Sequence, residues 1–241
     1  MNVAGVWRVV VVLSLTLSVV GRALAGEPTE QIKRSTNEIL KIVKDPDLKD
    51  PAKAAERRKR VRAVTEQTFG WREMARRALG RYWPRITDKQ KNEFVALFRD
   101  LIEQTYMAQI EGYAGEVIRY EGDKIDGDFA LVKVTVVTGK NTEIPLVYRA
   151  FKKKEEARDK PPVKPTTRPA TKPSTKWLVY DVSIEGVSLV NNYRTQIRDI
   201  MARSSYEELV KKLKAKIAED AAAAPAPSEE ATPPAKSDTS E

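Results

Sequence analysis

The apolar residues of this chain change period twice, from helical to alternating near Glu116 and back to helical at Leu189. Side chains repeat their direction every 3.6 residues on a helix and every two on a strand, so these switches divide the chain into helices, a sheet, and helices again. Strands grouped between helices, rather than alternating with them, give an α+β arrangement with an antiparallel sheet. Four strands are legible. GEVIRYEGD (115–123) and DFALVKVTVV (128–137) meet at a tight turn around Asp126-Gly127, TEIPLVYRAF (142–151) is the third, and KWLVYDVSI (176–184) the fourth. In the second, Val132, Val134 and Val136 share one face and Leu131 and Val137 the other. In the third, Ile144, Leu146 and Tyr148 oppose Val147 and Phe151. Both faces are substantially apolar, so each is expected to be covered. Pro145 has no N–H to donate, which asks for a free edge or a bulge at that point.

The helical stretches carry their own punctuation. Residues 27–49 place Ile32, Ile39, Leu40 and Val43 on one stripe, and Asp45-Pro46 ends it. A second helix over 51–68 carries ERRKRVR (56–62), which reads either as the solvated face of a helix or as a docking patch for an anionic partner. Phe69, Met74, Ala78 and Leu79 mark a short third helix that Gly80 caps and Pro84 keeps from resuming. Thr87-Asp88-Lys89-Gln90 is a capping box that opens a long helix to about Gly112, with Phe94, Leu97, Phe98, Leu101, Ile102, Tyr106 and Ile110 at helical spacing. After the sheet, Val190, Tyr193, Ile197 and Ile200 line one side of a helix from Leu189 to about Ala202. A second box at Ser205–Glu208 opens the last helix, with Leu209, Leu213 and Ile217. The joint Glu185-Gly186-Val187-Ser188-Leu189 is expected to turn sharply at Gly186, where a Cβ would clash, and to cap the next helix with Ser188.

The ends and one insertion differ in composition. Residues 1–25 have one early cation, Arg8, an apolar run from Val9 to Val20 and a small-x-small site at Ala23-Leu24-Ala25. This is the pattern of a signal peptide cleaved after Ala25, the alternative being a membrane anchor. Removing it takes Arg8 and Arg22 and no acid from 43 basic and 34 acidic side chains, leaving a charge of +7 in place of +9. An exported chain does not meet cytosolic nucleic acid, so the basic balance is not a nucleic-acid signature here. Residues 152–175 form a basic, proline-rich insertion, read as disordered and either inert or an electrostatic tether. The Ala/Pro/Ser-rich tail 221–241 is read as disordered too. The remaining 26–220 make one domain.

Little reactive chemistry is on offer. The sequence holds no cysteine and no histidine, which removes disulfides, thiolate nucleophiles, histidine bases and the commonest metal ligands. No glycine-rich phosphate loop, nucleophile elbow or HExxH element appears. Asp123, Asp126 and Asp128 flank a glycine turn, which explains them better than calcium does. Asp181 could serve as a general base, but pairing with an arginine such as Arg194 is the blander account. An export signal, a sheet apolar on both faces and no reactive group suggest a container with an apolar ligand.

Residues 72–106, REMARRALGRYWPRITDKQKNEFVALFRDLIEQTY, resemble the toluene-tolerance, or MlaC-like, family, the periplasmic phospholipid-binding component of the Mla ABC transport system. Leu79-Gly80-Arg81-Tyr82-Trp83, Gln90, Glu93-Phe94, Phe98 and Thr105-Tyr106 carry the likeness. Tyr148-Arg149, Trp177, Tyr180-Asp181-Val182, Glu185–Leu189 and Tyr193-Arg194 extend it in order over about 27–217. Trp71 replaces a Phe-like residue, and the insertion is longer than the usual hairpin. The resemblance implies an α+β fold, its antiparallel sheet of about four strands NTF2-like and wrapped by helices around an apolar lipid cavity. It implies a soluble, monomeric periplasmic carrier with phospholipid as cargo, no cofactor and no catalysis of its own. The partners implied are the lipid-binding subunit of an inner-membrane ABC transporter and an outer-membrane lipoprotein complex. The cavity wall is expected to include Tyr82, Trp83, Phe94, Phe98, Leu101, Tyr106, Val134, Val136, Leu146, Tyr148, Tyr180, Val187 and Tyr193. Two other readings stay open: an adaptor that binds an anionic protein or envelope polymer through its basic face, and an NTF2-like enzyme using Asp181.

Overall fold

The computed structural model describes residues 26–153 and 176–222. The expected leader 1–25, residues 154–175 of the insertion and residues 223–241 of the tail lie outside the described residues. Four helices precede the sheet: α1 (Glu27–Lys44), α2 (Ala54–Thr68), α3 (Trp71–Leu79) and α4 (Asp88–Glu111). Strands β1 (Val117–Asp126), β2 (Phe129–Val137), β3 (Glu143–Lys153), β4 (Lys176–Ile184) and β5 (Val187–Ser188) pair antiparallel in chain order. Helices α5 (Leu189–Arg203) and α6 (Tyr206–Ala222) complete the chain. The fold is α+β, with five strands where four are legible because the joint after β4 is itself a short strand.

Local chemistry sets the element ends. Thr87 and Gln90 cap each other's backbone at the start of α4, as the sequence spacing requires. α1 stops at Lys44, and the expected continuation to residue 49 is replaced by a 3-10 turn at Pro46–Leu48, capped by Asp45. β3 continues through Lys152 and Lys153, and α6 through Ala221 and Ala222. Pro145 is tolerated in an interior strand because the ladder to β4 starts one residue later, at Leu146.

Two apolar layers result. The helical layer buries Met74, Leu79, Phe94, Phe98, Leu101, Ile197 and Leu209 between α3, α4, α5 and α6. The sheet layer places Val132, Val134, Val179 and Val182 under Ile32 of α1 and Leu189 of α5. Phe69 and Tyr106 touch both layers. The expectation that each sheet face is covered is met on the inner face and only in part on the outer one, where Gly70 packs on Phe151 and Leu178 and Arg77 lies over Tyr180. The inner face lies under the helices, whereas Phe129 and Leu131, which alternate with the buried Ala130 and Val132, are 49% and 39% exposed. The charged run of α2 serves packing: Arg57 bonds Glu111 at 2.9 Å, and Arg62 bonds Glu103 at 2.6 Å, so these arginines clamp α2 to α4.

Candidate functional site

The inner sheet face is unevenly covered. At one end α1 closes it. The Asp123 carboxylate of β1 accepts from the Thr29 N–H at 3.0 Å, holding the first turn of α1 against the strands. Beneath that turn Ala130, Ala150 and Trp177 form a closed cluster. Toward the other end the same face carries Ile118, Val136, Ile144, Leu146 and Ile184, all only half-buried. The register explains their grouping, since Ile118 pairs with Val136, Val136 with Ile144, and Leu146 with Ile184. Aliphatic side chains from four adjacent strands therefore form one apolar strip that no helix among the described residues fully covers.

Four tyrosines stand where this strip passes under the helices. Tyr120 and Tyr148 rise from β1 and β3, and Tyr106 and Tyr193 come from α4 and α5. Burial pushes the Tyr148 phenol up to about 12, with Tyr120 nearby adding to the shift. Burial likewise raises Tyr106 to about 12, with Tyr193 as the second cause. Tyr120 and Tyr193 are also raised, chiefly by burial, against the opposing effect of Thr36 and Thr105 hydroxyls. These phenols are neutral throughout the physiological range. Apolar side chains and neutral phenols dominate this face, with Lys33 5.9 Å over the Tyr120 ring as the charged neighbour at its margin, a surface that suits hydrocarbon with a few polar atoms. Among the described residues, no group of three or more Asp, Glu, His or Cys side chains is placed to hold a metal.

The sequence-based wall residues divide. Val134, Val136, Leu146 and Tyr148 lie together on the inner face, and Tyr106 reaches it from α4. Phe94, Phe98, Leu101 and Tyr82 are buried in the helical layer instead, with Trp83 packed on its margin. Phe94 stacks on Phe98 at 5.8 Å, and Phe98 meets Tyr193 edge-on at 5.6 Å, so Tyr193 links that layer to the tyrosine group. Tyr180 points to the other side of the sheet. A bulge opposite Arg149 and Ala150 shifts the alternation, and Tyr180 packs on Phe129 and Phe151 with the Arg77 guanidinium 4.1 Å over its ring. Val187 is 48% exposed in the joint. The inner face also carries Ile118, Tyr120, Val182 and Ile184, for which the alternation of β1 and β4 was the available signal, with Leu189 of α5 packed on it.

The joint itself is a two-residue hairpin turn. Glu185 and Gly186 both have positive φ, 50° and 84°, and Ile184 pairs directly with Val187 across them. A Cβ on Gly186 would meet nothing within 4 Å, so the glycine answers a backbone demand and not the expected clash. The turn delivers Ser188 as the cap of α5, its hydroxyl accepting from Asn191 N–H at 3.0 Å. Asp181 accepts from the Ser188 hydroxyl at 2.7 Å and from the Val190 N–H at 3.1 Å, and pairs with Arg149 at 3.2 Å. Arg149, not Arg194, is its partner; Arg194 donates to the Arg77 carbonyl at 2.7 Å. The Ser188 and Val190 bonds of Asp181 fix the start of α5 to β4 and the Arg149 pair ties β4 to β3, structural tasks for the one carboxylate considered as a base.

Comparison with known proteins bears on the fold and the family. A family model described as MlaC protein matches residues 33–159 and 168–215, well over half of the chain. The intermembrane phospholipid transport system binding protein MlaC of Haemophilus influenzae is 23% identical over 139 residues, 57% of this chain and 57% of that protein, so the match spans little more than half the length of that relative. A solved phospholipid-binding protein from Ralstonia solanacearum, in complex with a phospholipid, superposes with a TM-score of 0.63 at 22% identity, covering 81% of this chain and 99% of that one. At that identity the superposition speaks for the fold, and the family match for descent: the chain belongs to the MlaC protein family.

Proposed function

We propose that this protein is a periplasmic phospholipid carrier, not an enzyme, that holds acyl chains against the half-covered strip of Ile118, Val136, Leu146 and Ile184 and moves lipid between outer-membrane and inner-membrane transport complexes. The observation that carries the reading is that uneven cover. The helical layer packs fully, while on the inner sheet face Ile118, Val136, Ile144, Leu146 and Ile184, from four strands, stay half-buried. The names of the relatives support lipid as the missing partner. A two-chain phospholipid has about thirty methylenes, each gaining roughly 0.8 kcal/mol on leaving water, on the order of 20 kcal/mol before costs. A bilayer offers nearly the same gain, so exchange between membrane and protein is close to balanced while release into water is not. Docking to a complex can therefore set the direction.

Native mass spectrometry of the exported protein, purified without detergent and followed by lipid extraction, tests the reading. A discrete mass increment matching phospholipid is the expected result. A bare-chain mass, unchanged after incubation with phosphatidylethanolamine and phosphatidylglycerol vesicles, would move the assignment to an adaptor of basic surface.

A further inference from the structure

Outside the sheet cleft, α3, the 3-10 segment Gly80–Arg85 and α5 enclose a concavity of about 510 Å³ lined by Arg76, Arg77, Arg81, Arg194 and Arg198 around Tyr82. Five arginines line one depression, the guanidinium of Arg77 being turned onto the Tyr180 ring, and few acids answer the others. Glu73 is shared by Arg76 and Arg77 at 2.7 and 2.6 Å, and Asp199 pairs with Arg198 at 3.2 Å on the surface. Arg81 donates to the Tyr82 hydroxyl at 2.9 Å and Arg194 to a backbone carbonyl. Both acceptors are neutral, so among the described residues no carboxylate meets either charge. Guanidinium forks match carboxylates in bidentate geometry, and several held in one concavity focus the field on it.

We infer that this arginine groove docks an acidic peptide segment, a short run of Asp or Glu side chains presented by a partner protein. Among the described residues the large exposed apolar side chains, Val117, Ile125, Phe129, Leu131 and Val187, lie on the strands, so these residues give the groove no apolar rim of the kind that seats a protein on a bilayer. Its concavity admits a narrow projecting segment, not a flat headgroup layer. The place suits a carrier, on which reading the partner's purpose rests. Arg194 follows Tyr193 on α5, and Tyr193 packs on Phe98 beside Tyr106, so a segment gripping Arg194 bears on the helix that borders the lipid cleft.

The test is fluorescence anisotropy of a fluorescein-labelled hexaglutamate peptide with the full exported chain, at low and physiological salt. Arg81→Ala/Arg198→Ala should weaken binding by about tenfold or more, while Lys59→Ala/Lys211→Ala, which removes the same charge from α2 and α6, should change it less than about twofold. Arg81→Lys/Arg198→Lys, which keeps charge and fold but loses the fork, should fall between them. Equal weakening by the arginine and lysine pairs would overturn the inference, as would no binding by the wild type. So would binding to phosphatidylglycerol vesicles that depends on Arg81 and Arg198 when peptide binding does not, or inorganic phosphate displacing the peptide at low millimolar concentration. Lipid content read by native mass spectrometry on the same samples separates the two proposals. Lipid lost from the wild type while the peptide effect persists would sink the carrier and leave the groove standing; lipid retained with no peptide effect would do the reverse.

Discussion

The helical layer and the inner sheet face draw on similar apolar residues and end in different states. Around Phe94 and Phe98, both fully buried, α3 to α6 interlock as a finished core. Across the inner face, Val132 and Val134 are as dry, but Ile118, Val136, Leu146 and Ile184 one or two residues along are half-buried. The difference lies in the cover, not in the strands: α1 is pinned by Asp123 over one end, and among the described residues the other end stays half-buried. A folding chain gains by closing such a surface, so leaving it open is tolerated where another apolar body closes it.

Substitutions can break or sharpen that contrast. Phe98→Ala, in the finished layer, should cost about 3–5 kcal/mol in chemical denaturation, with lipid per folded chain little changed. Asp181→Ala would remove the acceptor of the Ser188 hydroxyl and the Val190 N–H and the carboxylate facing Arg149; because Arg149 is partly solvated and keeps Ser183, about 2 kcal/mol is expected, visible as early melting of α5 in hydrogen exchange. Gly186→Val forces a β-branched residue to a φ of 84°, costing about 1–2 kcal/mol in thermal stability. Since no atom waits there for a Cβ, folded Gly186→Val protein should carry lipid normally, and a selective loss of lipid would show the joint to be part of the cleft. Leu146→Ser, in the unfinished strip, should cost only about 1 kcal/mol yet markedly lower the lipid recovered per chain. Loss of stability as large as that of Phe98→Ala would mean the strip is ordinary core.

The smallest effect at neutral pH is electrostatic. Tyr106 and Tyr148 have folded values near 12, above the unfolded value near 10, so the folded state holds these protons more tightly. Their contribution is complete below pH 10 and is lost as pH rises from 10 towards 12. Absorbance titration at 295 nm should show late-ionising tyrosines, later still with lipid bound, and no such shift on loading would place the lipid elsewhere.

Much of this contrast was legible from sequence, but not its position. The Thr87–Gln90 box and the Ser188 cap were readable because both bonds span three residues. Period two put Val134, Val136, Leu146 and Tyr148 on one face. Period 3.6 marked Phe94, Phe98 and Leu101 as inward, but it cannot say which of two layers an inward residue joins. Tyr180 was misplaced by a bulge, which moves every later side chain by one. Asp123 looked like a turn residue because its partner, Thr29, is 94 positions away, and Arg149 rather than Arg194 meets Asp181 through a strand register that only the folded sheet defines.

The central claim is that apolar cargo completes the sheet-side cleft, and the most direct measurement is a crystal structure of protein loaded with phospholipid brominated on its acyl chains. Anomalous bromine peaks are expected in contact with Ile118, Leu146 and Ile184, below Tyr148. Peaks among the α3–α6 core, or on the outer face at Phe129 and Leu131, would contradict the account.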